Sequence, residues 1–239
     1  MAWGLATLLF VLAWPVALLA SNVRWVANDL SFYQRGYANN GSYQATGIPS
    51  SELDRATAEM ITYFNADQDL PNIQVRVGGT TFPLFNERDS VHLRDVRYLI
   101  QLTYVVQGIS LGYVLLHSAG VLLKRKGRGM ASLANAWMWG GGFSAAVLAA
   151  VGMSMALDFD GLFLQFHLIS FSNDFWVLDP ATSYLIRMVP EGFFFDLAAW
   201  VAGLTLVESV VLAIVGAVVM ARMNNVNRPF RDSLSLRLP

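Results

Sequence analysis

A chain of 239 residues that is 55% apolar and only 14% charged, with a mean hydropathy of +0.45, departs from soluble proteins, which carry about 25% charge. A net charge of -1 argues against a nucleic-acid partner, and the lack of cysteine excludes disulfides, thiolate metal sites and a thiol nucleophile. Only three histidines occur, His92, His117 and His167, so the position of each imidazole carries information.

Four apolar runs reach the ~20 residues needed to cross ~30 Å of hydrocarbon: 3–26, 98–123, 133–157 and 197–221. The first has Arg24 as its only charge, with Trp3 and Trp25 as interface anchors. Leu19-Ala20-Ser21 also fits a signal-peptide cleavage region, but a basic leading segment is missing and the run is long, so a retained helix is expected. Residues 27–97 are too many for a structureless loop. Within them Ser51-Glu52-Leu53-Asp54 resembles a capping box that opens an amphipathic helix to about Ala66, with Leu53, Ala56, Met60, Ile61 and Phe64 on one face. Ile73, Val75 and Val77 then alternate with Gln74 and Arg76, Gly78-Gly79 turns the chain, and Thr80, Phe82 and Leu84 return it. That predicts a β-hairpin over 72–84, with Pro83 holding the return strand at an edge. Asn86, with Asp89 three residues on, predicts a helix start that carries His92 and Asp95 straight into the second span. In the third span Gly140-Gly141-Gly142 and Ser144 suit close helix packing. Glu208, near the centre of the fourth, is a costly position for a charge, suited to function or to pairing with Gln107 or a hydroxyl.

Charge asymmetry orients the spans. Lys124, Arg125, Lys126 and Arg128 follow the second span, and Arg222, Arg228, Arg231 and Arg237 follow the fourth. The loop at 158–196 carries Arg187 alone among Asp158, Asp160, Asp174, Asp179, Glu191 and Asp196. By the positive-inside rule both termini are cytoplasmic. The expected fold is an α-helical membrane protein, a single membrane domain over 1–239 with four transmembrane helices. A small extracytoplasmic α/β cap, a short helix plus the hairpin, is formed by 27–97 and 158–196, with 124–132 and 222–239 cytoplasmic.

Two polar stretches stand beside these spans: FNERDSVHLRDV at 85–96 and FHLISFSNDFWVLDP at 166–180. Each supplies one histidine, and an imidazole exchanges a proton near neutrality. Two structural loop histidines would fit the spacing equally well. Asp89 and Asp95 sit three residues either side of His92, placed to fix its tautomer if the segment is helical. Ser170 and Ser172 invite an acyl-enzyme reading, but no G-x-S-x-G elbow accompanies them. Ser172-Asn173-Asp174 reads as a turn, and Asn86, Arg88 and Asn173 are the side-chain donors suited to an oxyanion. His92, His167, Asp95 and Asp174 also make a conceivable zinc set, without any ligand spacing to support it. His117, in the cytoplasmic half of the second span and remote from these stretches, reads as structural.

The run Pro83-Leu84-Phe85-Asn86-Glu87-Arg88-Asp89, with His92 and Asp95-Val96, resembles the first signature of a bacterial four-span membrane family. Phe166-His167, the run from Ile169 to Asp174, Trp176, Leu178-Asp179-Pro180 and Pro190-Glu191-Gly192-Phe193-Phe194 resemble its second. That family includes the lipoprotein intramolecular transacylases. The resemblance spans essentially the whole chain. It implies transfer of the sn-2 acyl chain of a diacylglyceryl lipoprotein to the amine of its N-terminal cysteine, giving the lyso-form without cofactor or metal. It implies that His92 and His167 are the catalytic pair. Asn86, Arg88 and Asn173 would position substrate or oxyanion, with Glu87, Asp89, Asp95, Ser170, Ser172 and Asp174 in support. Partners would be diacylglyceryl-modified lipoproteins and membrane lipids. The rival readings are a non-enzymatic membrane protein that binds lipid or a partner, and a metal-dependent membrane hydrolase.

Overall fold

The computed structural model describes residues 2–124 and 128–235, with side chains over 4–124 and 128–225. Arg125, Lys126 and Arg237, and the side chains of Trp3, Arg228 and Arg231, lie outside the described residues. The elements run α1 (Ala2–Ala27), α2 (Leu30–Asn39), α3 (Ser42–Thr46), α4 (Ser50–Asn65), β1 (Gln74–Val77) and β2 (Thr80–Pro83). They continue as α5 (Glu87–Lys124), α6 (Gly129–Leu157), α7 (Phe159–Ser170), α8 (Tyr184–Met188) and α9 (Glu191–Ser235). Among the described residues four helices, α1, α5, α6 and α9, are long and apolar enough to cross a membrane, and at most 28% of the most apolar window in any of them is buried. Apolar helices left that bare require lipid as their solvent. The 38 residues of α5 extend ~57 Å, about twice the hydrocarbon thickness. The apolar run 98–123 is by itself long enough to cross the bilayer, and 87–97 are a more polar first part of the same helix that carries His92.

The chain forms two compact units. One comprises Met1–Ala20, Val106–Val151 and Ala202–Pro239. Here α6 and α9 meet through small residues, as the glycine-rich run predicts. A Cβ on Gly141 would stand 2.4 Å from the Ser209 carbonyl oxygen, and one on Gly216 would stand 2.5 Å from that of Ala134. Gly140 packs on Val11 of α1, whereas Gly142 faces open space. Ser144 is fully buried and donates to the Gly140 carbonyl at 2.7 Å. Lipid tails are as apolar as leucine, so such close approach, not hydrophobicity, holds the helices together. Gly141→Val is therefore expected to lower the Tm of the detergent-solubilised protein, at a cost of ~1–3 kcal/mol from overpacking. An unchanged melting curve would contradict this packing. His117 packs its ring on Phe10 at 4.8 Å in the same unit.

The second unit comprises Ser21–Val105 and Gly152–Val201. Its core gathers Tyr37, Leu53, Val75, Leu84, Met188 and Phe193, all at most 1% exposed. The hairpin forms as expected: Gly78 and Gly79 both take positive φ (58° and 84°), and Gln74 to Val77 pair antiparallel with Pro83 to Thr80. The α4 helix buries Leu53, Ala56, Thr57, Met60, Tyr63 and Phe64, while Ile61 stays half-buried. Its expected capping box does not form. The N-cap is Pro49, two residues earlier, and the Asp54 carboxylate instead accepts the Gln34 amide and the Tyr43 hydroxyl at 2.8 Å each, while Glu52 accepts the Arg76 backbone N–H at 3.0 Å, fastening α4 to the hairpin.

The loop expected at 158–196 is partly helical. Asp158 caps α7 by accepting the Gly161 N–H at 2.9 Å, and α9 starts at Glu191, six residues before its apolar run. Two further helices, α2 and α3, precede α4. Asp29 caps α2 by accepting the Ser31 N–H at 3.0 Å.

Candidate active site

Asn86 acts as the N-cap of α5: its side-chain oxygen accepts the Asp89 N–H at 2.8 Å while Asp89 accepts the Asn86 N–H at 3.4 Å. From that start, His92 falls in the second turn of the helix. His167 falls in the last turn of α7. The two imidazoles, 75 residues apart in sequence, have ring centroids 6.1 Å apart, inclined by 31°, and are 8% and 7% exposed. The structure thus brings together the one histidine of each polar stretch.

Aromatic rings wall the pair. His167 lies 4.4 Å from Phe163, 4.9 Å from Trp176, 5.4 Å from Phe166 and 5.6 Å from Phe171 between centroids. His92 meets the edge of Phe171 at 5.0 Å. Burial holds His167 below the usual imidazole pKa, against the opposing effect of its hydrogen bond to the Phe163 carbonyl. For His92, burial and then the neighbouring His167 push the pKa down to about 4, with Asp95 pulling the other way. Both rings are accordingly neutral at pH 7.

Their two environments differ. His167 Nδ1 lies 2.7 Å from the Phe163 carbonyl oxygen one turn back, so this nitrogen carries the proton and Nε2 keeps its lone pair. This partner exists only because 159–170 is helical, which is why a loop reading misses it. Among the described residues His92 Nδ1 is buried without a hydrogen-bond partner.

The remaining candidates surround the pair in distinct ways. Arg88 donates from Nε to the Val177 carbonyl at 2.9 Å and from Nη2 to that of Asp174, and its guanidinium also pairs with the Asp174 carboxylate at 3.5 Å. It thus ties the 174–177 turn to α5. Asn173 donates from its amide to Asp95 at 2.8 Å and accepts the Phe175 N–H at 3.0 Å, which makes the expected Asx turn. Trp176 Nε1 donates to the Asn173 carbonyl at 2.9 Å, which sets the indole beside His167.

Asp89 is fully buried and receives the Ser183 hydroxyl at 2.6 Å. Burial raises its pKa, opposed mainly by that hydroxyl. Asp89 therefore joins α5 to the cap of α8 and does not orient His92; the carboxylate near His92 is Asp95. Asn86 donates to the Thr182 carbonyl at 3.1 Å, so its amide is also engaged in holding the chain. Glu87 is exposed on the first turn of α5. Among the described residues neither Ser170 nor Ser172 hydrogen-bonds an imidazole, and no three His, Asp or Glu side chains converge as metal ligands.

A groove of about 210 Å³ is lined by Asp95, Tyr98, Leu99 and Leu102 of α5 and by Ser170, Phe171, Ser172 and Asn173; neither imidazole lines it, and Phe171, whose ring meets both, stands at its wall. Phe163, Ser183 and the α5 wall of this groove escape a sequence reading. Their roles follow from helical stacking and from cross-chain contact, not from residue type.

Comparison with known proteins agrees with this architecture. The family described as lipoprotein intramolecular transacylase Lit matches residues 8–194. The fold is similar to the solved structure of the membrane integral lipoprotein intramolecular transacylase Lit from Bacillus cereus, with a TM-score of 0.75 at 19% identity over 92% of this chain and 96% of that one. It is also similar to two structures of that protein with one histidine replaced, by arginine or by alanine, each with a TM-score of 0.71 at 19% identity. These cover 92% of this chain and 92% and 94% of theirs. No curated sequence matches the chain.

Proposed function

The chain belongs to the lipoprotein intramolecular transacylase family, and from that premise we propose that His92 and His167 together move an acyl chain within one lipoprotein molecule. The protein is an integral membrane acyltransferase that acts on lipoproteins. In this reading the acyl group leaves the sn-2 ester of the diacylglyceryl moiety and joins the α-amine of the N-terminal cysteine. Donor and acceptor share one molecule, so the protein's task is to hold the amine against the ester. Such orientation can supply ~7–11 kcal/mol of the barrier. An ester gives way to a more stable amide, so the transfer is driven without nucleotide.

His167 is the better base, since its Nδ1–H is committed to Phe163 and its Nε2 bears the lone pair. The neutral amine attacks the carbonyl carbon as Nε2 takes its proton, giving a tetrahedral oxyanion. The carbon–oxygen bond to the glycerol then breaks, and that oxygen receives a proton through the imidazole pair. A substrate that arrives as an ammonium releases one further proton to water. His92, with Asp95 near it, would steady the imidazolium and oxyanion at their closest approach. The groove beside Tyr98, Leu99 and Leu102 suits the first carbons of the chain in transit. The supporting observation is the convergence of two buried imidazoles from separate segments.

The charge asymmetry of the loops supports a location at the outer face of the cell membrane, with both termini cytoplasmic and with 27–97 and 158–196 outside. Residues 1–239 then act as one membrane domain, with 124–132 and 222–239 on the cytoplasmic side.

The deciding experiment is incubation of purified protein with a synthetic diacylglyceryl lipopeptide and no added acyl donor. The product should keep the intact mass and display an N-acyl fragment. Release of free fatty acid, or no conversion, would overturn the reading. Arg88→Ala is expected to slow turnover roughly tenfold, the kinetic equivalent of ~1.4 kcal/mol, by loosening the turn that seats Asn173 and Trp176. An unaltered kcat would remove Arg88 from the site.

A further inference from the structure

A second cleft, of about 530 Å³, is lined by Ser21, Arg24, Trp25, Asn28, Asp29 and Asn65. This volume falls in the ~300–1,000 Å³ range of small-ligand clefts. Nothing in the acyl-transfer mechanism uses it. Tyr104, which bears on it, lies on the opposite face of α5 from the groove: at 100° per residue it is roughly 180° from Asp95 and 160° from Leu102.

Its polar floor is organised. The Asn28 amide nitrogen lies 2.7 Å from both the Arg24 carbonyl and the Tyr104 hydroxyl, and the Asn65 amide donates to Asn28 Oδ1 at 2.7 Å. The Arg24 guanidinium stacks over the Tyr104 ring with Cζ 4.4 Å from its centroid. Asp29 adds a carboxylate, whose outer partner is Arg35 at 3.7 Å. One cation and one anion thus line the same cleft over a neutral amide floor. Trp25, half exposed, stands at the end of the α1 apolar run, where indoles mark the glycerol and headgroup level of a bilayer.

We propose that this cleft seats the headgroup of a zwitterionic glycerophospholipid, with its phosphodiester on Arg24 and its ammonium toward Asp29. A planar guanidinium matches two phosphate oxygens at once, and stacking on tyrosine fixes the plane of that fork. The carboxylate opposes an anionic headgroup or free phosphate and favours a headgroup carrying its own positive charge. The site is independent of the histidine chemistry.

Native mass spectrometry of the purified full-length protein tests this, with phosphatidylethanolamine, phosphatidylglycerol, diacylglycerol and inorganic phosphate as probes. A one-to-one adduct is expected with phosphatidylethanolamine, a weaker one with phosphatidylglycerol, and none with the other two. Arg24→Gln should weaken the phosphatidylethanolamine adduct about tenfold, as loss of one charge-assisted contact implies. Asp29→Asn keeps a capping side chain for α2 and should abolish the preference over phosphatidylglycerol. Diacylglycerol bound as well as phosphatidylethanolamine, or an adduct indifferent to Arg24→Gln, overturns the proposal. If Arg24→Gln does not fold, an unchanged lipid preference in Asp29→Asn does so by itself. His167→Ala should retain the lipid adduct whatever becomes of its acyl transfer, so the two proposals fail separately.

Discussion

Alanine at His167 is expected to reduce lipopeptide conversion by about 10²–10⁴-fold, the usual worth of a positioned acid–base group. His92→Ala should lose a comparable factor for a different reason. In the proposed mechanism His167 would supply the lone pair, its tautomer set by Phe163, whereas His92 would supply a second imidazole 6.1 Å away to share the charge. Residues that act as a unit are not additive, so the double variant should be little worse than the poorer single one. Conversion is followed by fragment spectra, and thermal melts of each variant check the fold. Full activity in both folded single variants would eliminate the imidazole pair as the catalyst.

The second large effect concerns pH and stability. His92 is buried as the neutral ring with its pKa near 4, against about 6.5 in the unfolded chain. Between those values the unfolded state binds a proton that the folded state does not, so stability rises with pH. The neutral ring's contribution is complete above pH 6.5 and is lost as the pH falls through 4. That loss amounts to about 3 kcal/mol for His92 alone. His167, depressed in the same direction, adds to it. Melts from pH 7.5 down to 4 should show a steep fall in Tm that is blunted in His92→Gln, which has no proton to bind. Equal slopes in the two proteins would mean that His92 is not buried as the structure has it. Stability is the cleaner readout here, since the substrate amine itself becomes an ammonium below about pH 7.7.

Some features of the site are written in short runs of sequence. The Gly78-Gly79 turn admits little but a tight hairpin, because two successive positive φ angles favour glycine. Asn86 with Asp89 marks a helix start, and both residues fulfil that role. Other features mislead when read locally. Ser51 to Asp54 has the letters of a capping box, yet Asp54 is taken by Gln34 and Tyr43 of the preceding helices and the helix starts behind Pro49. The segment around Phe163 to Ser170 is apolar and flanked by acidic residues, and nothing in that pattern distinguishes a short helix from a loop beside lipid. Asp89 lies three residues from His92 and looks like its partner, but Ser183, 94 residues away in the chain, claims it.

Span number, the amphipathic α4, the hairpin and the helical extension bearing His92 were determined by the sequence itself. Each depends on the periodicity of apolar side chains or on the backbone preferences of a few neighbouring residues, and these act over one or two turns. Only the tertiary structure decided that His92 and His167 face each other inside a wall of aromatic rings, and that Arg88 and Asn173 brace the turn carrying Trp176. Those outcomes join segments some 75 to 90 residues apart. Contacts over such separations are chosen by which surfaces pack together, and no local pattern encodes that choice.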